Sequence, residues 1–138
     1  MLIVEDEMST IFAMREFFSF TGYQTDCAAT LNEAKRLLDQ YRYDVVITDL
    51  HLSPNRTSEG MSVLAYARDL SPDAIVVILT AYASEGSGRE ARRLGVTVYE
   101  TKPVGLAELA ARIEAARSQR SNAACATVRS EGSDACPE

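Results

Sequence analysis

Residues 44–49, Asp44-Val45-Val46-Ile47-Thr48-Asp49, decide the fold. The unbroken apolar run Val45-Val46-Ile47 reads as a strand buried on both faces. Strands of that kind belong to parallel sheets whose crossovers carry covering helices. This one ends on a carboxylate, Asp49.

Outward from this strand, short apolar runs alternate with amphipathic segments. Towards the N-terminus, Met1 to Val4 is a strand and Met8 to Thr21 a helix, with Gly22 at its stop. Tyr23 to Ala28 is a second strand. Thr30 and Glu33 form a capping box for a helix over Leu31 to Tyr41, with Leu31, Ala34 and Leu38 on one face. Towards the C-terminus, a polar loop runs from His51 to Glu59, followed by a helix from Gly60 to Leu70 and the turn Ser71-Pro72-Asp73. Ala74 to Thr80 is the most strand-like run in the chain. A weak helix from Ser87 to Leu94 is stopped by Gly95; two glycines lie in its start, Ser84 to Gly88, so a mobile first turn is expected. Val96 to Glu100 is a fifth strand. After Pro103, the spacing of Leu106, Leu109, Ala110 and Ile113 gives an amphipathic helix.

Five strands separated by helices predict an α/β fold, a doubly wound parallel sheet with helices on both faces. Residues 1–118 form this domain. Residues 119–138, rich in small and polar residues without apolar period, are expected to be a disordered tail.

A chain of 138 residues fits one hydrophobic core. Its net charge of -6 disfavours direct nucleic-acid binding. No apolar run reaches membrane-span length and no signal peptide opens the chain, so a cytoplasmic protein without a membrane partner is expected. Three cysteines and one histidine match no zinc spacing. Cys27 reads as a small core residue, and Cys125 and Cys136 as free thiols in the tail.

In a doubly wound sheet, ligands bind beyond the carboxyl ends of the strands. The residues delivered to that rim are Glu5-Asp6-Glu7, Asp49, Thr80-Ala81 and Lys102-Pro103. Carboxylates gathered at one rim repel one another, and a hard cation such as Mg2+ relieves the repulsion through oxygen ligands. Acids, a metal, a hydroxyl and an ammonium make up the constellation for phosphoryl transfer. Asp49 would be the nucleophile, with Lys102 and Thr80 holding phosphoryl oxygens.

The runs Leu2-Ile3-Val4-Glu5-Asp6-Glu7, Val45-Val46-Ile47-Thr48-Asp49, Leu79-Thr80-Ala81 and Lys102-Pro103 resemble the response-regulator receiver family of two-component systems. The resemblance implies a flavodoxin-like strand order 2-1-3-4-5. It implies that Asp49 accepts a phosphoryl group from a phosphohistidine. Asp6 and Asp49 would ligate Mg2+ through side chains and His51 through its backbone carbonyl, with Glu5 assisting, often through a metal-bound water. Thr80 would bond the phosphoryl group, Lys102 would pair with it, and Tyr99 would be the switch aromatic. The Lys102-Pro103 bond is expected to be cis. His51 and Tyr82 occupy positions that tune loss of the phosphoryl group, and as bulky residues that are neither acid nor amide they imply slow self-dephosphorylation. Glu7 is read as a favourable helix N-terminal acid. Compared with the family's pattern, Pro54 stands one place late and Gly60 arrives late, so the loop after Asp49 is longer.

The implied protein is a stand-alone response regulator and not an enzyme. Its partners would be a histidine kinase or histidine phosphotransfer protein, with a separate effector protein downstream. Arg89, Arg92, Arg93, Arg112 and Arg117 give the face of the fourth helix, fifth strand and fifth helix a local basic character and read mainly as solvated helix residues, with an acidic partner as the alternative. The alternative is a receiver-like binding module that works without phosphorylation. A phosphatase ranks below both, because His51 stands where such enzymes need a second acid.

Overall fold

A computed structural model describes residues 1–52 and 59–130 of the chain, with side chains described up to Gln119. Five strands, β1 (Leu2–Val4), β2 (Asp26–Ala28), β3 (Val45–Asp49), β4 (Ile75–Thr80) and β5 (Val98–Thr101), alternate with five helices. The helices are α1 (Met8–Phe20), α2 (Leu31–Gln40), α3 (Glu59–Leu70), α4 (Glu85–Arg93) and α5 (Leu106–Ser130). All strand pairs are parallel, in the order β2-β1-β3-β4-β5. This is the doubly wound, flavodoxin-like order that the sequence implied.

Strand parity builds the two layers. Leu2, Val4, Val46, Val76 and Ile78 face one way and pack with Ala34 and Leu38 of α2, Val63, Leu64 and Ala67 of α3, and Ala91 of α4. Ile3, Val45, Ile47, Ile75, Val77 and Leu79 face the other way, onto Met14 and Phe18 of α1 and Leu109 and Ile113 of α5. Both sides of β3 and β4 are therefore covered, which is why their sequences are continuously apolar rather than alternating.

Element ends depart from the sequence reading for local reasons. β2 begins at Asp26, not Tyr23, because the Tyr23 N–H is used to close the end of α1, donating to Phe18 O at 3.0 Å. β5 begins at Val98 because the Thr97 hydroxyl, instead of a carbonyl, accepts the Val76 N–H at 3.1 Å. Cys27, expected in the core, is half-buried on the edge strand β2, and burial pushes its thiol pKa up. The first turn of α4 begins at Glu85 with Ser84 as its cap, two residues before the predicted start. α5 continues through Ser130, where a disordered tail was expected from residue 119. Composition had argued for disorder, but the alanines at 123, 124 and 126 are strong helix formers. Residues 131–138, including Cys136, and the side chain of Cys125 lie outside the described residues.

Arg68 fastens two connections, α3–β4 and α4–β5, at the far end of the sheet. Its guanidinium donates to the carbonyls of Pro72 and Ala74 and, on the other nitrogen, to Gly95 O and Thr97 Oγ1, at 2.7–3.2 Å. Replacing it with methionine keeps the aliphatic stem and strands several partly buried acceptors. Arg68→Met is expected to lower stability by about 2 kcal/mol, read as a lower urea midpoint with unchanged slope.

Candidate functional site

Parallel register brings the acids together. Val4 pairs with Thr48, so Glu5 stands level with Asp49 one residue further along each strand. Glu5 is 2% exposed, an unusual burial for a carboxylate. Its Oε2 accepts the Glu7 N–H at 3.2 Å and its Oε1 accepts from Lys102 Nζ at 3.1 Å. Lys102 Nζ also donates to Asp49 Oδ2 at 3.3 Å. Asp6, exposed at the start of the β1–α1 connection, completes the group. Ligand oxygens of Glu5, Asp6 and Asp49 all lie within 4.8 Å of one another.

Charge sets the character of this rim. Burial pushes the Glu5 pKa up, the Asp49 charge adds to the rise, and the Lys102 hydrogen bond opposes it. Burial acts to lower the Lys102 pKa, but its bonds and attraction to Glu5 and Asp49 outweigh that and leave it raised. The ammonium therefore stays charged, bridging two acids across 97 residues of sequence. Three carboxylates face one cation, so the rim remains negative. Clustered carboxylate oxygens are the hard donor set that suits Mg2+ or Ca2+.

Thr80, fully buried, ends β4 beside the acids. Its hydroxyl donates to the Tyr82 carbonyl at 3.1 Å and accepts the Tyr82 N–H at 3.2 Å. Its own carbonyl accepts the Lys102 N–H at 2.7 Å, which ties the lysine to the neighbouring strand end. The Lys102-Pro103 bond is cis, as expected. Tyr99 is half-buried on β5, and its hydroxyl lies 2.5 Å from Ser87 Oγ. His51 is half-buried two residues beyond Asp49, while Tyr82 is 82% exposed beyond Thr80. Pro54, in the lengthened loop, lies outside the described residues. Glu7 is the N-cap of α1; its side chain accepts from the Thr10 hydroxyl and makes no cap bond.

Two further residues at the site were not singled out for their roles by sequence. Gly60 donates its N–H to Leu50 O at 2.9 Å, and a Cβ there would stand 2.3 Å from Asp49 O. Ser87 was read only as a helix start, because its partner Tyr99 lies on another element. A glycine at the head of α3 was a visible signal for the first; the serine gave none.

The family described as "Response regulator receiver domain" matches residues 1–114. The chain belongs to this family. The receiver domain is 34% identical over 115 residues to the transcriptional regulatory protein PmrA of Pectobacterium parmentieri, covering 83% of this chain and 50% of that protein. It is 28% identical over 108 residues to sporulation initiation phosphotransferase F of Bacillus subtilis, covering 78% of this chain and 85% of that protein. A crystal structure of a Burkholderia pseudomallei response regulator holds a phosphorylated aspartic acid, a calcium ion and citrate. It matches this chain with a TM-score of 0.76 at 26% identity, covering 99% of this chain and 74% of that one. A CheY-like receiver from Methanospirillum hungatei shares the fold, with a TM-score of 0.80 at 23% identity, covering 88% of this chain and 94% of that one. The receiver domain spans about half the length of PmrA and of the Streptococcus agalactiae regulator DltR. Among the described residues no helix is long and apolar enough to cross a membrane.

Proposed function

We propose that this receiver domain takes up a phosphoryl group on Asp49 and signals by the conformational change that follows. The observation that carries the reading is Lys102, bonded at once to Asp49 and to the buried Glu5, with Asp6 closing the acid cluster. The donor is the phosphohistidine of a histidine kinase or phosphotransfer protein. An O–P bond forms on the Asp49 carboxylate as the N–P bond to imidazole breaks, and the imidazole nitrogen keeps the electron pair. Lys102 then offers its ammonium to a phosphoryl oxygen, and Thr80 gives up the Tyr82 backbone to offer its hydroxyl to another. Mg2+ held by Asp6, Asp49 and the His51 carbonyl, with Glu5 behind, would supply charge neutralisation on the phosphoryl oxygens. Tyr99 follows Thr80, and the face of α4, β5 and α5 carries the change to a protein partner. The domain acts as a stoichiometric acceptor, not a turnover enzyme. Incubation with an acyl phosphate and Mg2+ tests the reading: the intact mass rises by one phosphoryl group, and no rise sinks it.

The same cluster predicts a pH-dependent cation affinity. Glu5 has a raised pKa, so acidification protonates it at a higher pH than an ordinary glutamate. The proton removes negative charge from the rim and competes with the cation. Mg2+ affinity is expected to fall on acidification, starting at a higher pH than an ordinary glutamate would cause, with a slope approaching about tenfold per pH unit at the acid end. Calorimetric titration checks this, and an affinity indifferent to pH would remove Glu5 from the cation's surroundings.

A further inference from the structure

The Ala81-Tyr82-Ala83 segment joins β4 to α4, and hydroxyl groups fasten it at both ends. At the rim, Thr80 Oγ1 engages both the N–H and the carbonyl of Tyr82. At the far end, Ser84 Oγ caps α4 by accepting the Ser87 N–H at 3.1 Å. Ser87 Oγ returns the bond, accepting the Ser84 N–H at 3.3 Å, and lies 3.0 Å from Ser84 Oγ and 3.2 Å from Ser84 O. The same Ser87 oxygen lies 2.5 Å from the Tyr99 hydroxyl. One serine therefore both closes the first turn of α4 and ties it to the neighbouring strand. The Tyr99 ring lies against that turn: a Cβ on Gly88 would stand 3.9 Å from its Cε1.

Besides these bonds the turn has the backbone bond from Gly88 N–H to Ser84 O at 2.9 Å and one buried residue, Gly88. Gly86 and Gly88 each disfavour helix against alanine by about fivefold in the local equilibrium. Glu85 and Gly86 are exposed, so burial adds nothing there. A turn this weak follows its side-chain bonds.

We propose that Ser87 is a positioning residue that couples the orientation of Tyr99 to the folding of the first turn of α4. When the Tyr99 hydroxyl leaves Ser87, the turn frays; when the turn frays, Tyr99 is released, because the coupling is reciprocal. The functional consequence rests on the phosphorylation reading above. Movement of Thr80 to a phosphoryl group frees the Tyr82 backbone and opens the segment from its other end.

Amide hydrogen exchange at residues 86–89 of the unphosphorylated chain tests the coupling, with Ser87→Ala, Tyr99→Phe and the double variant. Each single change is expected to speed exchange there by about three- to tenfold. The double variant should exchange no faster than the faster single one, since both remove the same bond. Alanine is a better helix former than serine, so acceleration in Ser87→Ala comes from the lost hydroxyl and not from propensity. Unchanged exchange in the β4 amides reports that each variant stays folded. Tyr99→Phe leaving α4 exchange at the parent rate, or effects that multiply in the double variant, would overturn the proposal, because a serine that merely caps a helix gives those results. A second arm follows the parent chain after treatment with an acyl phosphate and Mg2+. Exchange at 86–89 is expected to rise towards the Ser87→Ala rate in the fraction whose mass has risen, and unchanged exchange in that fraction overturns the link to the switch. A chain that gains no mass refutes the phosphorylation reading by itself, while the exchange cycle still decides the coupling.

Discussion

Asp49→Asn is expected to abolish phosphoryl uptake while leaving the fold intact. Asparagine has nearly the same shape, so the packing at the end of β3 is preserved. What disappears is the anionic oxygen nucleophile, and a neutral amide oxygen does not form a stable acyl phosphate. Treated with an acyl phosphate and Mg2+, the parent chain should gain one phosphoryl group and the variant none. Stability should stay within about 1 kcal/mol of the parent, because two opposing effects are in play. Lys102 loses one ionic partner but keeps Glu5, and the acid cluster loses one of its mutually repelling charges. A variant that gains the same mass as the parent would move the modification elsewhere. If neither chain gains mass, receiver-like binding without phosphorylation becomes the better account. Lys102→Met offers a graded comparison: the nucleophile remains, but Glu5 and Asp49 lose the ammonium they share, so uptake should slow without vanishing.

Much of this site was legible because topology does long-range work. Glu5 and Lys102 are 97 residues apart, yet both follow strands of one parallel sheet, and such strands end at the same rim. Apolar periodicity was enough to find the strands, and the strands placed the acids, the threonine and the lysine. What escaped the reading depends on side chains substituting for backbone. β5 starts late because the Thr97 hydroxyl takes a ladder bond, which no hydrophobic pattern encodes. Ser87 is bonded to a tyrosine 12 residues away on another element, so a local reading sees only a helix start. The last helix runs past the expected start of the tail at residue 119 for the opposite reason. Composition pointed to disorder, but the alanines that lower its polarity contrast also favour helix.

Gly60→Ala carries the largest expected effect on stability, and it acts on the site from behind. Gly60 is buried in the first turn of α3, where the helix meets the backbone leaving β3. A Cβ there would lie 2.3 Å from Asp49 O, 2.7 Å from Leu50 Cα and 3.0 Å from Leu50 O. These are main-chain atoms, so no rotamer change can make room. Either α3 withdraws, weakening the 2.9 Å bond from Gly60 N–H to Leu50 O, or the end of β3 is displaced. The first breaks packing of Met61, Val63 and Leu64; the second shifts the residue that carries the Asp49 carboxylate. A loss of about 3 kcal/mol is expected, visible as a lower urea midpoint, together with slower phosphoryl uptake in whatever remains folded. Gly86→Ala is the internal contrast. Nothing lies within 4 Å of its Cβ position, so that change should stabilise by about 0.5–1 kcal/mol through helix propensity and a less disordered unfolded chain. If the two substitutions moved the midpoint equally, close approach at Asp49 could not be the reason for glycine at position 60. The loop carbonyls would then owe their position to the strand alone.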